Sequence, residues 1–236
     1  MKYMIKVENL FYSYPNNGFK IDIPFQLTIK EGVTGLLGRN GAGKTTFLRL
    51  LSGLKRYTKG HVEILQSDIK DENMYEKIKK DIFYLPDENI LFDNLTVQEN
   101  LELFCDIRFG DKNKWTKSFE MIQYFSLDES LKKPFGQCSH GTRKKTEIVC
   151  AFIASPRIYF LDEPYNGLDV LGIKLLNDLI KRNQSSLFLL SSHIVTILEQ
   201  MAERILIIDN GLIIDDIMLP IANKLEDYYI EKVFKK

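Results

Sequence analysis

Residues Gly38, Arg39, Asn40, Gly41, Ala42, Gly43, Lys44, Thr45 and Thr46 fit the spacing GxxxxGK[ST]. Glycines let a backbone wrap closely round phosphates, while loop amides and a helix amino end supply positive partial charge. In that frame Lys44 reaches the β and γ phosphates, and the Thr45 hydroxyl is a magnesium ligand. Further on, the apolar run 158–161 leads into Asp162 and Glu163. Asp162 would hold magnesium, directly or through water, and Glu163, pointing the other way, would polarise an attacking water as general base. Alone, that pair also fits an ordinary acidic turn; beside a phosphate loop it fits cleavage of a nucleotide phosphate bond.

These residues need a scaffold that brings distant segments to one edge. Four short, nearly unbroken apolar runs, 33–37, 82–85, 158–161 and 187–190, are each followed at once by polar or glycine-rich residues: 38–46, Pro86 and Asp87, Asp162 and Glu163, and 191–193. Such runs suit parallel strands buried on both faces, whose ends share the edge where open α/β folds bind ligands. Residues 4–10 and 25–29 alternate apolar and polar, predicting a small antiparallel layer, with Asn16, Asn17 and Gly18 as punctuation. Between Asp87 and Lys145 the pattern is helical, including 97–108 and 114–125, with breaks at Gly110 and Pro134. Asp209, Asn210 and Gly211 between apolar runs predict a hairpin, and about twenty residues follow, too few for another domain. The expected fold is α/β: a P-loop NTPase core with a mostly parallel sheet, an N-terminal antiparallel β subdomain and an inserted helical subdomain. It forms one domain over 1–236, with 1–86 and 146–236 as core and 87–145 as the helical lobe.

A chain of 236 residues, 44% hydrophobic, buries a sizeable core. Its 32 basic and 32 acidic side chains cancel, so nothing in the net charge argues for nucleic acid or an anionic membrane surface as main partner, and no nucleic acid is expected. Cys105, Cys138 and Cys150 lack CxxC spacing or histidine pairing and read as reduced filler. No run approaches the ~18 to 20 apolar residues of a membrane span, so a membrane role needs a partner chain.

Cys138, Ser139, His140, Gly141 and Thr142 precede a helix from about Arg143, with Ser139 as N-cap and Pro156 as its stop. Ser139 lies 23 residues before Asp162, and Asn166-Gly167-Leu168-Asp169 and the strand-end His193 follow. In order and spacing, nearly the whole chain resembles the nucleotide-binding subunit of an ATP-binding-cassette (ABC) transporter. The resemblance implies ATP and Mg2+ as cofactors and an exporter-like motor. Ser139 and Gly141 match the signature sequence that touches the γ-phosphate bound to a second subunit, and Asp169 ends the loop crossing the dimer interface. His193 matches the switch histidine that helps Glu163 fix the water. Tyr14 matches the aromatic that stacks on adenine, with Tyr12 and Phe11 as neighbours able to compete. The implied partners are a second cassette, head to tail, and separate transmembrane permease subunits. The implied location is cytoplasmic, peripheral on the membrane's cytoplasmic face.

Three positions depart from the family pattern. Asp87 stands where most members carry a glutamine that approaches magnesium and water; it can still ligate the metal, but adds negative charge. Cys138 and His140 alter a signature that usually reads LSGG, and Thr142 replaces its glutamine. Phe83, Phe92, Phe104 and Trp115 either line a groove for a membrane subunit or form the lobe's core. A soluble cassette ATPase acting in iron-sulfur assembly is the alternative function.

Overall fold

The computed structural model describes residues 3–15, 18–222 and 224–234. The punctuation assigned to Asn16 and Asn17 lies outside the described residues. The chain divides into two compact units, one of residues 1–84, 157–163 and 184–236, the other of 85–156 and 164–183. The first unit opens with β1 (Ile5–Ser13), β2 (Lys20–Ile29), β3 (Gly32–Leu37), α1 (Lys44–Leu51), β4 (Lys59–Ile64), β5 (Ser67–Asp68), α2 (Glu72–Ile78) and β6 (Ile82–Leu85), whose last residue begins the second unit. There the chain forms α3 (Val97–Phe109), α4 (Phe119–Tyr124) and α5 (His140–Ala154), then returns to the first unit as β7 (Ile158–Asp162). It visits the second unit again as α6 (Val170–Arg182), and ends in the first with β8 (Leu187–Ser192), α7 (Val195–Met201), β9 (Arg204–Asp209), β10 (Leu212–Met218) and α8 (Leu225–Phe234).

The first unit carries the expected two sheets. One is antiparallel, in the order β2-β1-β4-β5, and the other runs β10-β9-β3-β8-β7-β6. In the second sheet β3 pairs in parallel with both β8 and β9, and β7 in parallel with β8. Every residue of β7 and β8 is buried, which is why both read as continuous apolar runs. The side chains of Phe47, Leu48 and Leu51 from α1 join Ile5, Val7, Ile21, Phe160, Leu189 and Leu206 in one core. Each such side chain contributes about 1.5–3 kcal/mol by burial. The hairpin forms as expected, with Asn210 at φ 47° and Gly211 at φ 78° between β9 and β10.

In the second unit Val97, Leu101, Cys105, Ile122, Phe125, Phe135, Val149 and Cys150 are buried together with the apolar faces of α3 to α5. Thr96 and Glu99 form a reciprocal capping box on α3, and Gly110 ends it in a left-handed turn at φ 65°. The helix expected over 114–125 is instead a 3-10 segment, Lys112–Ser118, followed by the short α4. The Asp111 carboxylate accepts the Asn113 amide at 3.0 Å and the Thr116 hydroxyl donates to the Asn113 carbonyl at 2.8 Å. Such local bonds compete with the α-helical ladder. The helix expected from about Arg143 begins three residues earlier, at His140, because Ser139 caps it. Of the four aromatics, Phe83 is buried, Phe104 and Trp115 are half-buried and Phe92 is exposed. The three thiols are free and buried, as filler should be. No helix among the described residues is long and apolar enough to cross a membrane.

Candidate active site

The first unit brings the phosphate-loop residues, both strand-end carboxylates and the histidine together. The loop leaves β3 and enters α1 through Gly43, whose φ of 111° no other residue adopts without strain. A side chain at Gly38 would drive a Cβ into the Ile208 carbonyl, so β9 can lie directly against the loop. The hairpin turn braces it further: the Gly211 amide donates to the Ala42 carbonyl at 2.8 Å, and the Gly211 carbonyl accepts the Asp22 amide at 2.9 Å.

Lys44 is buried, its ammonium donating to the Gly38 carbonyl at 2.8 Å and lying 3.2 Å from one Glu163 carboxylate oxygen. The other oxygen of Glu163 lies 2.9 Å from His193 Nδ1. Glu163 is thus held at both oxygens, and its backbone sits in the left-handed region at φ 45°. For a residue with a Cβ that conformation costs about 1–3 kcal/mol and persists only where the surroundings over-determine it. Ser191 does part of that holding, because its hydroxyl accepts the Glu163 amide at 2.9 Å and donates to Asp162 Oδ1 at 2.5 Å. The parallel register sets Ser191 directly beside Asp162. The second Asp162 oxygen accepts the Tyr84 hydroxyl at 3.3 Å, and Arg49 donates to that hydroxyl at 3.2 Å. Burial, with Asp162 beside it, pushes the Tyr84 phenol up to about 12, so it stays a neutral donor.

Asp162 therefore keeps a carboxylate at the end of β7, and Thr45 a hydroxyl in the first turn of α1. Among the described residues no cluster of three or more His, Cys, Asp or Glu side chains makes a metal cage by itself. That donor set fits magnesium, which is bound by one or two protein oxygens plus phosphate oxygens. The left-handed glycines 41 and 43 likewise fit an amide-lined anion cradle. Tyr14 donates or accepts a hydrogen bond with Thr46 at 3.2 Å, packs edge-on to Tyr12 at 5.0 Å, and has Lys55 over its ring at 4.4 Å. Arg39 lies over Phe234 of α8, 5.1 Å from the ring centre.

The second unit carries Asp87, Ser139, Gly141 and Asp169. Ser139 accepts the Thr142 amide at 3.2 Å and shares a hydrogen bond with the Thr142 hydroxyl at 2.8 Å. Asp169 caps α6 by accepting the Gly172 amide at 2.6 Å and pairs with Lys145 at 3.1 Å, which together hold its carboxyl below the usual range. Any side chain at Gly167 would collide with the His140 ring, and one at Gly141 would meet the Gly167 carbonyl at 2.9 Å. The turn before Asp169 is therefore packed on the start of α5. Asp87 accepts the Asn166 side-chain amide at 2.9 Å. Ser191, Tyr84 and Asn166 escaped the sequence reading as partners of the key carboxylates; strand-end position was the one signal for Ser191.

Residues 24–166 match the family model described as ABC transporter. The ABC transporter ATP-binding protein YcbN of Bacillus subtilis is 32% identical over 237 residues, covering 99% of this chain and 75% of the relative. The lipopolysaccharide export system ATP-binding protein LptB of Haemophilus influenzae is 34% identical over 218 residues, covering 89% of each chain. A solved structure described as the ATP-binding subunit of an ABC transporter superposes with a TM-score of 0.84 at 25% identity, over 97% of this chain and 99% of that one. The chain belongs to the ABC transporter family. It is the ATP-binding, ATP-hydrolysing subunit of that family, a transport motor with a P-loop core.

Proposed function

We propose that the chain powers a membrane transporter by magnesium-dependent ATP hydrolysis in which Glu163 is the general base. The observation that carries this is Glu163 itself, strained at φ 45° and held between Lys44 and His193. Residues 38–46 cradle the phosphates, Lys44 bears on the β and γ phosphates, and Thr45 and Asp162 hold the metal. Magnesium supplies charge neutralisation at the phosphate oxygens. Asp87 takes the place of the family's glutamine as a further metal-facing oxygen, and Tyr14 takes the adenine. His193 orients the attacking water with Glu163.

One chain carries one phosphate loop and one signature, so two copies or two related chains must pair head to tail. Ser139, Gly141 and Asp169 of one then face the nucleotide of the other. The cassette spans 1–236, with 87–145 as the lobe that meets separate transmembrane permease subunits on the cytoplasmic face. Export is the direction we favour, supported by the name of the Haemophilus influenzae relative. Size exclusion of Glu163→Gln in ATP and magnesium tests the pairing. The variant is expected to run as an ATP-stabilised dimer, whereas a nucleotide-bound monomer at every concentration would overturn the shared site.

A further inference from the structure

Two fully buried charges in the second unit have no part in the roles above. Lys144 and Glu147 lie on one face of α5, the helix that Ser139 caps, and their side chains are 1% and 0% exposed. Burying two ions is unfavourable unless their hydrogen-bonding capacity is used. The Lys144 ammonium donates to two fixed acceptors, the Pro86 carbonyl at 3.1 Å and the Asp87 carbonyl at 3.2 Å, and faces a Glu147 oxygen at 3.5 Å. The other Glu147 oxygen accepts the Ile90 amide at 2.9 Å. The oxygen facing Lys144 makes no hydrogen bond and relies on the ammonium's charge alone. The pair thus grips one short stretch of backbone, 86–90, from both ends. The Asp87 side chain, set by that grip, reaches Asn166 at 2.9 Å, in the loop that runs to Asp169.

We infer that Lys144 and Glu147 are positioning residues: the buried pair fixes backbone 86–90 to the signature helix and so sets where the Asp87 carboxylate points during turnover. A change in the pose of α5 is then transmitted to Asp87 through rigid, desolvated contacts. Both side chains are fully buried in the second unit and lie outside the phosphate loop, so removing the grip acts on turnover and leaves binding at that loop alone. The inference rests on the reading of Asp87 given above, but the grip itself is measurable without nucleotide.

The test uses the full chain in three variants, Glu147→Gln, Lys144→Met and the paired Lys144→Met with Glu147→Leu. A matched apolar pair replaces a buried ion pair with little loss of folding, which keeps a folded variant in hand. Amide hydrogen exchange in the nucleotide-free protein is expected to speed up at Ile90 by at least tenfold in the paired variant, with α3 unaffected. In the same variant kcat for ATP is expected to fall about tenfold while the ATP dissociation constant stays within twofold. Unchanged exchange over 86–90, or faster exchange with unchanged kcat, overturns the inference. An inactive wild type whose exchange still responds to the paired variant refutes instead the function proposed above.

Discussion

Replacing Ser191 with alanine removes one hydroxyl and disturbs both carboxylates of the site. That hydroxyl is fully buried, donates to Asp162 at 2.5 Å and accepts the Glu163 amide at 2.9 Å. A hydrogen bond to a carboxylate is worth about 1.5–3 kcal/mol, and a buried amide left without an acceptor costs about 1–3 kcal/mol. The expected loss of stability is about 3–5 kcal/mol, within the roughly 5–15 kcal/mol that a domain of this kind commands, so the variant still folds. The larger consequence is for Glu163. Its left-handed backbone costs about 1–3 kcal/mol and loses one of the contacts that enforce it, so relaxation would swing the carboxylate away from Lys44 and His193. At 1.36 kcal/mol per factor of ten, kcat should fall about 10- to 100-fold while ATP still binds. Urea titration and steady-state ATPase assays read the two effects. A stability loss below about 1 kcal/mol, with kcat within twofold of wild type, would refute the claim that Ser191 enforces the strain.

His193→Ala removes the contact to the second Glu163 oxygen and should lower kcat at least tenfold with little change in ATP affinity, measured by fluorescent-nucleotide titration and turnover. Gly211→Ala forces a Cβ onto the Lys20 carbonyl at a φ of 78° and displaces the amide that braces Ala42; it should lower both the melting temperature and ATP affinity, whereas a loss of stability alone would argue that the turn does not support the loop. Asp169→Ala deletes the N-cap of α6 and should cost about 1 kcal/mol at neutral pH. Because the Gly172 amide, then Lys145, hold that carboxyl below its ordinary 3.8, the stabilisation is complete above that value. It is lost as the pH falls through the lowered one, so the urea-melt difference between wild type and variant should vanish in strong acid.

The fold was legible where local chemistry and burial agree. The runs 33–37, 158–161 and 187–190 became parallel strands because strands covered on both faces admit no polar alternation, and Asn-Gly closed the hairpin because both residues accept positive φ. Legibility failed where side chains compete with backbone, as at Asp111 and Thr116, whose local bonds break the helix expected there. In the site, the phosphate loop and the carboxylate pair announce themselves because their chemistry needs fixed spacing. Ser191, Tyr84 and Arg49 do not, since their meeting with Asp162 depends on strand order and register, which no local pattern encodes. Nothing in the sequence sets Lys144 and Glu147 apart from the other charges of the chain, and only packing shows both to be buried.

The role of Glu163 is tested most directly by single-turnover magnesium-dependent ATP hydrolysis, with ATP affinity measured in parallel, for wild type and Glu163→Gln. Glutamine keeps the size of the strained side chain and one oxygen for Lys44, but it carries no charge and cannot take a proton. Glu163→Gln is expected to bind ATP as tightly as wild type and to cleave it at least about a hundredfold more slowly. Cleavage within a few fold of wild type would contradict the assignment of Glu163 as general base.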